Sequence, residues 1–213
     1  MVCPHCEGAD KVFNYSWAQR ELNEFRKNGP AKATQTLINV LKEAGIAGYS
    51  LLDIGGGIGA IQHTLANAGV NHTVDVDASS AYLKIAQAEA QKLGYADKAQ
   101  YLHGDFVQLA PQIEATDIVT LDRVVCCYPD MHALVKLSSE RAKRFYALIY
   151  PRDNIITKYG IRVFNFFSFF IWRSPFRTYI HSSREVDAVI QSNGLKRLFH
   201  KNVGLWQVYV YQR

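Results

Sequence analysis

The stretch that most constrains this chain runs from Leu51 to Gln62 and reads LLDIGGGIGAIQ. Leu51, Leu52 and Ile54 form a short apolar run of the kind buried in a parallel strand. Gly55, Gly56, Gly57 and Gly59 follow, and a helical pattern begins behind them. Glycines in such a turn permit positive φ and let bare backbone approach a ligand. A helix starting there presents unpaired N–H groups. Asp53 lies near the strand's end, where its carboxylate suits an amine or an ordered water. The pattern Gly55-x-Gly57-x-x-Ala60 also satisfies the loose dinucleotide fingerprint. A nicotinamide cofactor, a methyl-donor cofactor and a purely structural turn are all open at this point.

The rest of the chain repeats the strand–helix theme. Ile58 to Ala68 reads as the first crossover helix, and His72 to Val76 as the second strand, ended by Asp77. Asp77 lies 22 residues beyond Gly55, near the ~20 expected of an acid that holds ribose hydroxyls. Asp75 competes for that role from the same strand face. Ser79 or Ser80 caps a helix carrying Leu83, Ala86, Ala90 and Leu93, stopped by Gly94. Gln100 to His103 is a third strand, followed by Gly104-Asp105-Phe106. There Asp105 suits the exocyclic amine of an adenine, and Phe106 its ring. Asp117 to Leu121 is a fourth strand ending at Asp122-Arg123. Arg141 to Phe145 reads as helix leading into a fifth strand, Phe145 to Tyr150. Leu195 to His200 and Leu205 to Tyr211 read as a closing antiparallel pair. Alternation of this kind specifies a parallel sheet with right-handed crossovers. Ligands of such sheets bind beyond the carboxyl ends of the strands, which is where Asp53, Gly55, Asp77, Asp105 and Asp122 fall.

Two helices precede the first strand. Tyr15 to Lys27 carries Trp17, Leu22 and Phe25 near one face, and a second helix carries Leu37, Leu41 and Ala44. They either lid a cofactor site or cover the sheet edge. Cys3-Pro4-His5-Cys6 opens the chain; one C-x-x-C pair is half of a tetrahedral zinc site, and no second pair follows at zinc-like spacing. A flexible terminus without a metal is the expectation. Four cysteines do not suggest a disulfide framework, and no signal-peptide pattern opens the sequence. A cytoplasmic location is the default. The organisation expected is a segment over 1–34 with the cysteines and a cap helix, then one domain over 35–213.

Charge divides the chain. Residues 141–213 carry 13 Lys/Arg against 3 Asp/Glu, while residues 1–140 carry 11 against 16. A basic back half suits an acidic substrate, an anionic membrane surface or nucleic acid. Within it lies an aromatic-rich insertion near 155–181. Its most apolar run, Val163 to Trp172, falls short of the ~20 residues that span a bilayer. Arg152, Arg173 and Arg177 are candidates to clamp an acidic acceptor. Ser182-x-x-Glu185 looks like a capping box.

LLDIGGGIGAIQ, VDVD, GDF and TDIVTLDRVV, in that order, resemble the class I S-adenosylmethionine-dependent methyltransferases. The resemblance covers about residues 35–213. It implies a Rossmann-like α/β fold with a mostly parallel seven-stranded sheet and an antiparallel last strand. By that resemblance Gly55, Gly57 and Gly59 approach the methionine part of the cofactor. Asp77 holds the ribose, Asp105 and Phe106 the adenine, and Asp122 lies near the sulfonium. The final third, through Tyr179, His181, Ser183 and Gly194, resembles the magnesium-protoporphyrin methyltransferases. The acceptor expected is an apolar, acidic small molecule, with a tetrapyrrole carboxylate as one instance. Such an acceptor is already ionised at neutral pH and needs no base. If a base exists, His181, Tyr128 and His132 are the candidates. No appended RNA-binding module is recognisable, so no nucleic acid is expected. A non-catalytic cofactor-binding protein docked on a membrane through the aromatic segment is the competing reading, with a nucleic-acid methyltransferase and a nicotinamide dehydrogenase behind it.

Overall fold

The apolar run at the centre of the sequence becomes strand β1 (Ser50–Ile54), and its neighbours follow from the same alternation. The computed structural model describes residues 4–170 and 176–213. Strands β2 (His72–Asp77), β3 (Ala99–His103), β4 (Thr116–Asp122), β5 (Ala142–Pro151), β6 (Lys196–Val203) and β7 (Trp206–Gln212) join β1 in one sheet. The order is β3-β2-β1-β4-β5-β7-β6. Strands β1 to β5 pair in parallel, and β7 runs antiparallel between β5 and β6. The order of strand addition switches at β1: β2 and β3 lie on one side of it, β4 and β5 on the other. Ligand crevices open at such a switch point.

Helices cover both faces, which is why the central strands are apolar at nearly every position. Side chains alternate between the two layers. Leu52, Val119, Leu148 and Tyr209 point to the layer of α6 (Phe106–Leu109), α7 (Met131–Glu140) and α9 (Ser183–Ser192). Leu51, Ile118, Ile149 and Val208 point to the layer of α3 (Lys32–Glu43) and α4 (Ala60–Asn67). Helix α5 (Ser80–Lys92) is capped by Ser79, whose hydroxyl accepts from Tyr82 N–H. The Ser182 cap on α9 is present as expected, accepting from Glu185 N–H.

Two expectations change. Residues 142–145, expected as helix, belong to β5: α7 stops at Glu140, and Thr116 N–H donates to the Arg141 carbonyl at 2.9 Å, starting the β4–β5 ladder at once. The N-terminal segment is helical from Pro4 to Val12 (α1), so Cys6 sits on a helix; Cys3 lies outside the described residues. A second helix, α2 (Tyr15–Asn28), is capped by Asn14. The proposed boundary at residue 34 falls in the first turn of α3, which packs Leu37, Ile38 and Leu41 against the sheet. The aromatic segment includes helix α8 (Ile155–Phe170); Ile171, Trp172 and Arg173 lie outside the described residues.

Candidate functional site

The turn between β1 and α4 supplies the floor of a cleft at the carboxyl ends of the strands. Gly55 has φ +63°, and a Cβ there would collide with the Val124 side chain. Gly56 sits directly over buried side chains. A Cβ on it would lie 2.7 Å from Asp75 Oδ1, 2.7 Å from Gln62 Nε2 and 3.0 Å from Asp53 Oδ2. Gly57 N–H donates to Asp77 Oδ2 at 3.0 Å, and Ser79 N–H donates to Asp77 Oδ1 at 2.7 Å. The strand-end carboxylate therefore sets the shape of the loop as well as facing the cleft. Gly59 caps α4 against His63 and does not line the cleft.

The cleft measures about 650 Å³, within the roughly 300–1,000 Å³ usual for small-molecule sites. Asp53, Gly55, Gly57, Asp77, Asp105, Phe106 and Asp122 all line it. Seven of the eight residues expected to hold a cofactor thus face one space. Asp75 does not line it: its side chain is fully buried beneath Gly56. Phe106, Ile54 and Val76 give that end an apolar wall.

Burial governs the charges. Asp53 is 1% exposed. Its Oδ1 accepts from Thr120 Oγ1 at 2.6 Å, and its Oδ2 has no hydrogen-bond partner. Loss of hydration outweighs that hydroxyl and pushes its pKa up to about 7. The same cause, eased by the two backbone N–H groups, takes Asp77 up to about 6. Asp75 is raised well above the ordinary carboxylate range by burial and then by the Asp53 and Asp77 charges. At the tip of β4, Asp122 accepts from Thr34 Oγ1 at 2.6 Å and from the Arg123 guanidinium at 3.0 Å.

Helix α2 closes the cleft from above. Phe13, Trp17, Glu21 and Phe25 line the space, and Tyr82 O–H donates to Glu21. Arg26 pairs with Glu89 of α5, and Asp10 of α1 accepts from Ser80 N–H at 2.8 Å. Of the N-terminal helices, α2 lids the cleft, whereas α3 covers a face of the sheet over its interior strands rather than an edge.

Residues 52–140 match the family model of a methyltransferase domain. Among solved structures, magnesium protoporphyrin IX methyltransferase from Synechocystis PCC 6803 with bound S-adenosylhomocysteine superimposes with a TM-score of 0.73 at 18% identity, covering 96% of this chain and 98% of that one. An O-methyltransferase family protein from Burkholderia thailandensis gives a TM-score of 0.66 at 13% identity over 84% of this chain and 56% of its own. The chain has the fold of the class I S-adenosylmethionine-dependent methyltransferases. A comparison with curated protein sequences gives no match.

Within this methyltransferase fold the three candidate bases do not converge. Tyr128 lines the cleft, and its hydroxyl donates to both oxygens of Asp105, at 3.0 and 3.1 Å. Asp105 also caps α6 through Val107 N–H. His181 is not among the cleft residues; its Nε2 lies 3.0 Å from the Tyr128 carbonyl, and burial lowers its pKa. His132 is on the exposed side of α7. Arg152 and Arg177 do not line the cleft either.

Arg123 does, and the expectations did not include it. Among the described residues it is the one non-glycine with positive φ, at 62°, a conformation costing about 1–3 kcal/mol that clusters at functional sites. Its side chain is 43% exposed, and its guanidinium carbon lies 5.9 Å from the centre of the Trp206 ring. Nothing in the spacing of the TLDRVV segment announces a left-handed residue. Tyr82 and Glu21 were likewise invisible as site residues, because only the folded lid brings them to the cleft.

Proposed function

We propose that this chain transfers a methyl group from S-adenosylmethionine to an apolar small molecule bearing a carboxylate, forming a methyl ester. The observation that carries the reading is the convergence of a glycine loop, Asp77, the Asp105–Phe106 corner and Asp122 on one cleft, with a half-exposed arginine at its side. The residues fit that cofactor. Asp77 spends one lone pair of each oxygen on backbone N–H groups and keeps others for the ribose hydroxyls. Phe106 offers an apolar face for adenine, beside Asp105 for its amine. Asp53 Oδ2, buried without a partner, suits an amine or a bridging water from the methionine part. Gly55 and Gly57 let the backbone approach, and Asp122 lies at the tip of β4 for the sulfonium end.

The cofactor supplies an electrophilic methyl group on a positive sulfur. The chain's tasks are alignment and exclusion of water. Phe13, Trp17 and Phe25 close the apolar lid that excludes it. A carboxylate acceptor is ionised at neutral pH and calls for no base, which suits a Tyr128 proton committed to Asp105 and a His181 committed to a backbone carbonyl. Arg123 is the group for the acceptor's charge: its Nε and one terminal nitrogen hold Asp122 at 3.0 and 3.2 Å, and the N–H groups on its other terminal nitrogen remain for the acceptor carboxylate. The likeness to magnesium protoporphyrin IX methyltransferase over nearly all of both chains makes carboxylated tetrapyrroles the first acceptors to try.

The test is calorimetric titration with S-adenosylmethionine and S-adenosylhomocysteine, followed by turnover with hydrophobic acids, porphyrins among them. Both nucleosides are expected to bind. Asp77→Asn is expected to weaken them roughly 10- to 100-fold, the worth of about 1.5–3 kcal/mol for hydrogen bonds to a charged group. Arg123→Gln is expected to raise KM for the acid about ten-fold with cofactor affinity unchanged. Failure of both nucleosides to bind overturns the cofactor assignment. Turnover confined to amines, neutral alcohols or RNA overturns the acceptor assignment alone.

A further inference from the structure

Helix α8 breaks the usual rule that an amphipathic helix turns its apolar stripe to the core. Ile155 and Ile156 are 85% and 81% exposed, and Tyr159 is 71% exposed. Val163 and Phe166 are exposed as well. At 100° per residue these five side chains fall within an arc of about 100°. The buried side of the same helix begins at Thr157, which bonds to Asn154 Oδ1 at 3.0 Å. Among the described side chains of α8, this apolar arc is therefore turned to the surface.

Charge says what covers it. Lys158 and Arg162, one turn apart and both exposed, run along one margin of the stripe. From residue 154 to residue 184 the sequence holds five Lys/Arg and no Asp or Glu. A second copy of this chain would set these cations against each other, with no acid on α8 to pair them. At 16 residues α8 is shorter than the ~20 that span a bilayer. Among the described residues no helix is long and apolar enough to cross one. An outward apolar face with a basic margin is the form of a helix that lies in a lipid–water interface.

We propose that α8 docks this protein on an anionic lipid surface. The docked helix adjoins the cleft. Asn165 of α8 bonds Thr178 in both directions, at 2.6 and 3.0 Å, and Thr178 and Phe176 line the cleft. A bilayer held at α8 thus lies beside the cleft's C-terminal wall. The inference does not depend on the cofactor or the acceptor.

Co-sedimentation of the full chain tests it, with vesicles of phosphatidylcholine alone and of phosphatidylcholine mixed with phosphatidylglycerol. Binding is expected to the mixed vesicles, to fall with salt, and to be much weaker to phosphatidylcholine. Lys158→Gln with Arg162→Gln is expected to lower partitioning about 25-fold, at about five-fold per cation near the surface. Ile155→Glu with Ile156→Glu is expected to abolish it. Both pairs are exposed, so the melting temperature and nucleoside titrations of each variant are expected to match the parent and report that it is folded. The proposal is overturned if the parent stays in the supernatant with both vesicle types, or if the isoleucine pair can be replaced without loss. A concentration-dependent dimer that those glutamates dissociate, with no vesicle binding, gives the face to a second copy and equally overturns it.

Discussion

Asp53 shows how one residue can be visible in a sequence and still be misjudged. Its position at the end of β1 was legible from the apolar run and the glycines behind it. Its charge was not, because the layer that strips its water comprises Gln62, Thr120 and Asp75, which arrive from α4, β4 and β2. Linkage turns this into a measurable sign. The unfolded carboxyl titrates near 3.8 and the folded one near 7. Between those values the folded chain holds a proton that the unfolded chain has released. The contribution of Asp53 to stability therefore falls as pH rises through that window and stays lost above it. A neutral amide in its place would mimic the protonated acid at every pH. We expect Asp53→Asn to melt close to the parent at about pH 3.5 and increasingly above it as pH rises to about 7, without cofactor. A melting difference that does not change with pH would refute the burial argument. Gly56 belongs to the same cluster. Its lack of a side chain serves three buried polar groups that meet beneath it, and only the tertiary packing reveals that.

Elements were more legible than their uses. The strand positions followed from apolar runs closed by acid or glycine. The error at 141–145 has a clear cause, since Arg-Ala-Lys-Arg carries no strand pattern and the pairing of β5 with β4 overrides local preference. The lid could not be assigned from its own residues, because Trp17 and Phe25 fit either a sheet cover or a cleft roof. The deciding contact is between elements: Tyr82 of α5 donates its hydroxyl to Glu21 of α2. Burial and then the Glu21 charge push that phenol's pKa well up, so it remains a donor at any physiological pH. Removing it leaves the Glu21 carboxylate unpaired on the cleft wall. Tyr82→Phe is expected to speed release of S-adenosylhomocysteine about five-fold, matching about 1 kcal/mol for one hydrogen bond, with association little changed. Stopped-flow displacement measures this. An unchanged release rate would show that α2 does not hold the ligand in.

At the scale of the molecule, the sheet and the N-terminal lid are stabilised by different means. Helix α3 is built into the core through Leu37, Ile38 and Leu41, all without exposed surface. Helices α1 and α2 bury less, Ala18 and Leu22 being the buried positions of α2. They are tied to α5 by one small apolar cluster, Ala18 and Leu22 against Tyr82 and Ile85, and by polar contacts: Asp10 to Ser80, Glu21 to Tyr82, Arg26 to Glu89, and Ser79 to the Phe13 carbonyl. Segments held this way open at lower free energy than a core. A ligand lying between lid and floor adds contacts to both and shifts the equilibrium toward the closed form. Amide hydrogen exchange should therefore divide the N-terminal region at Pro30. Without ligand, residues 4–28 are expected to exchange faster than residues 32–43. Saturating S-adenosylhomocysteine is expected to slow the first group and leave the second nearly unchanged, because α3 already exchanges only through wider unfolding. Equal protection of both groups before ligand is added would make the N-terminal helices part of the core rather than a lid.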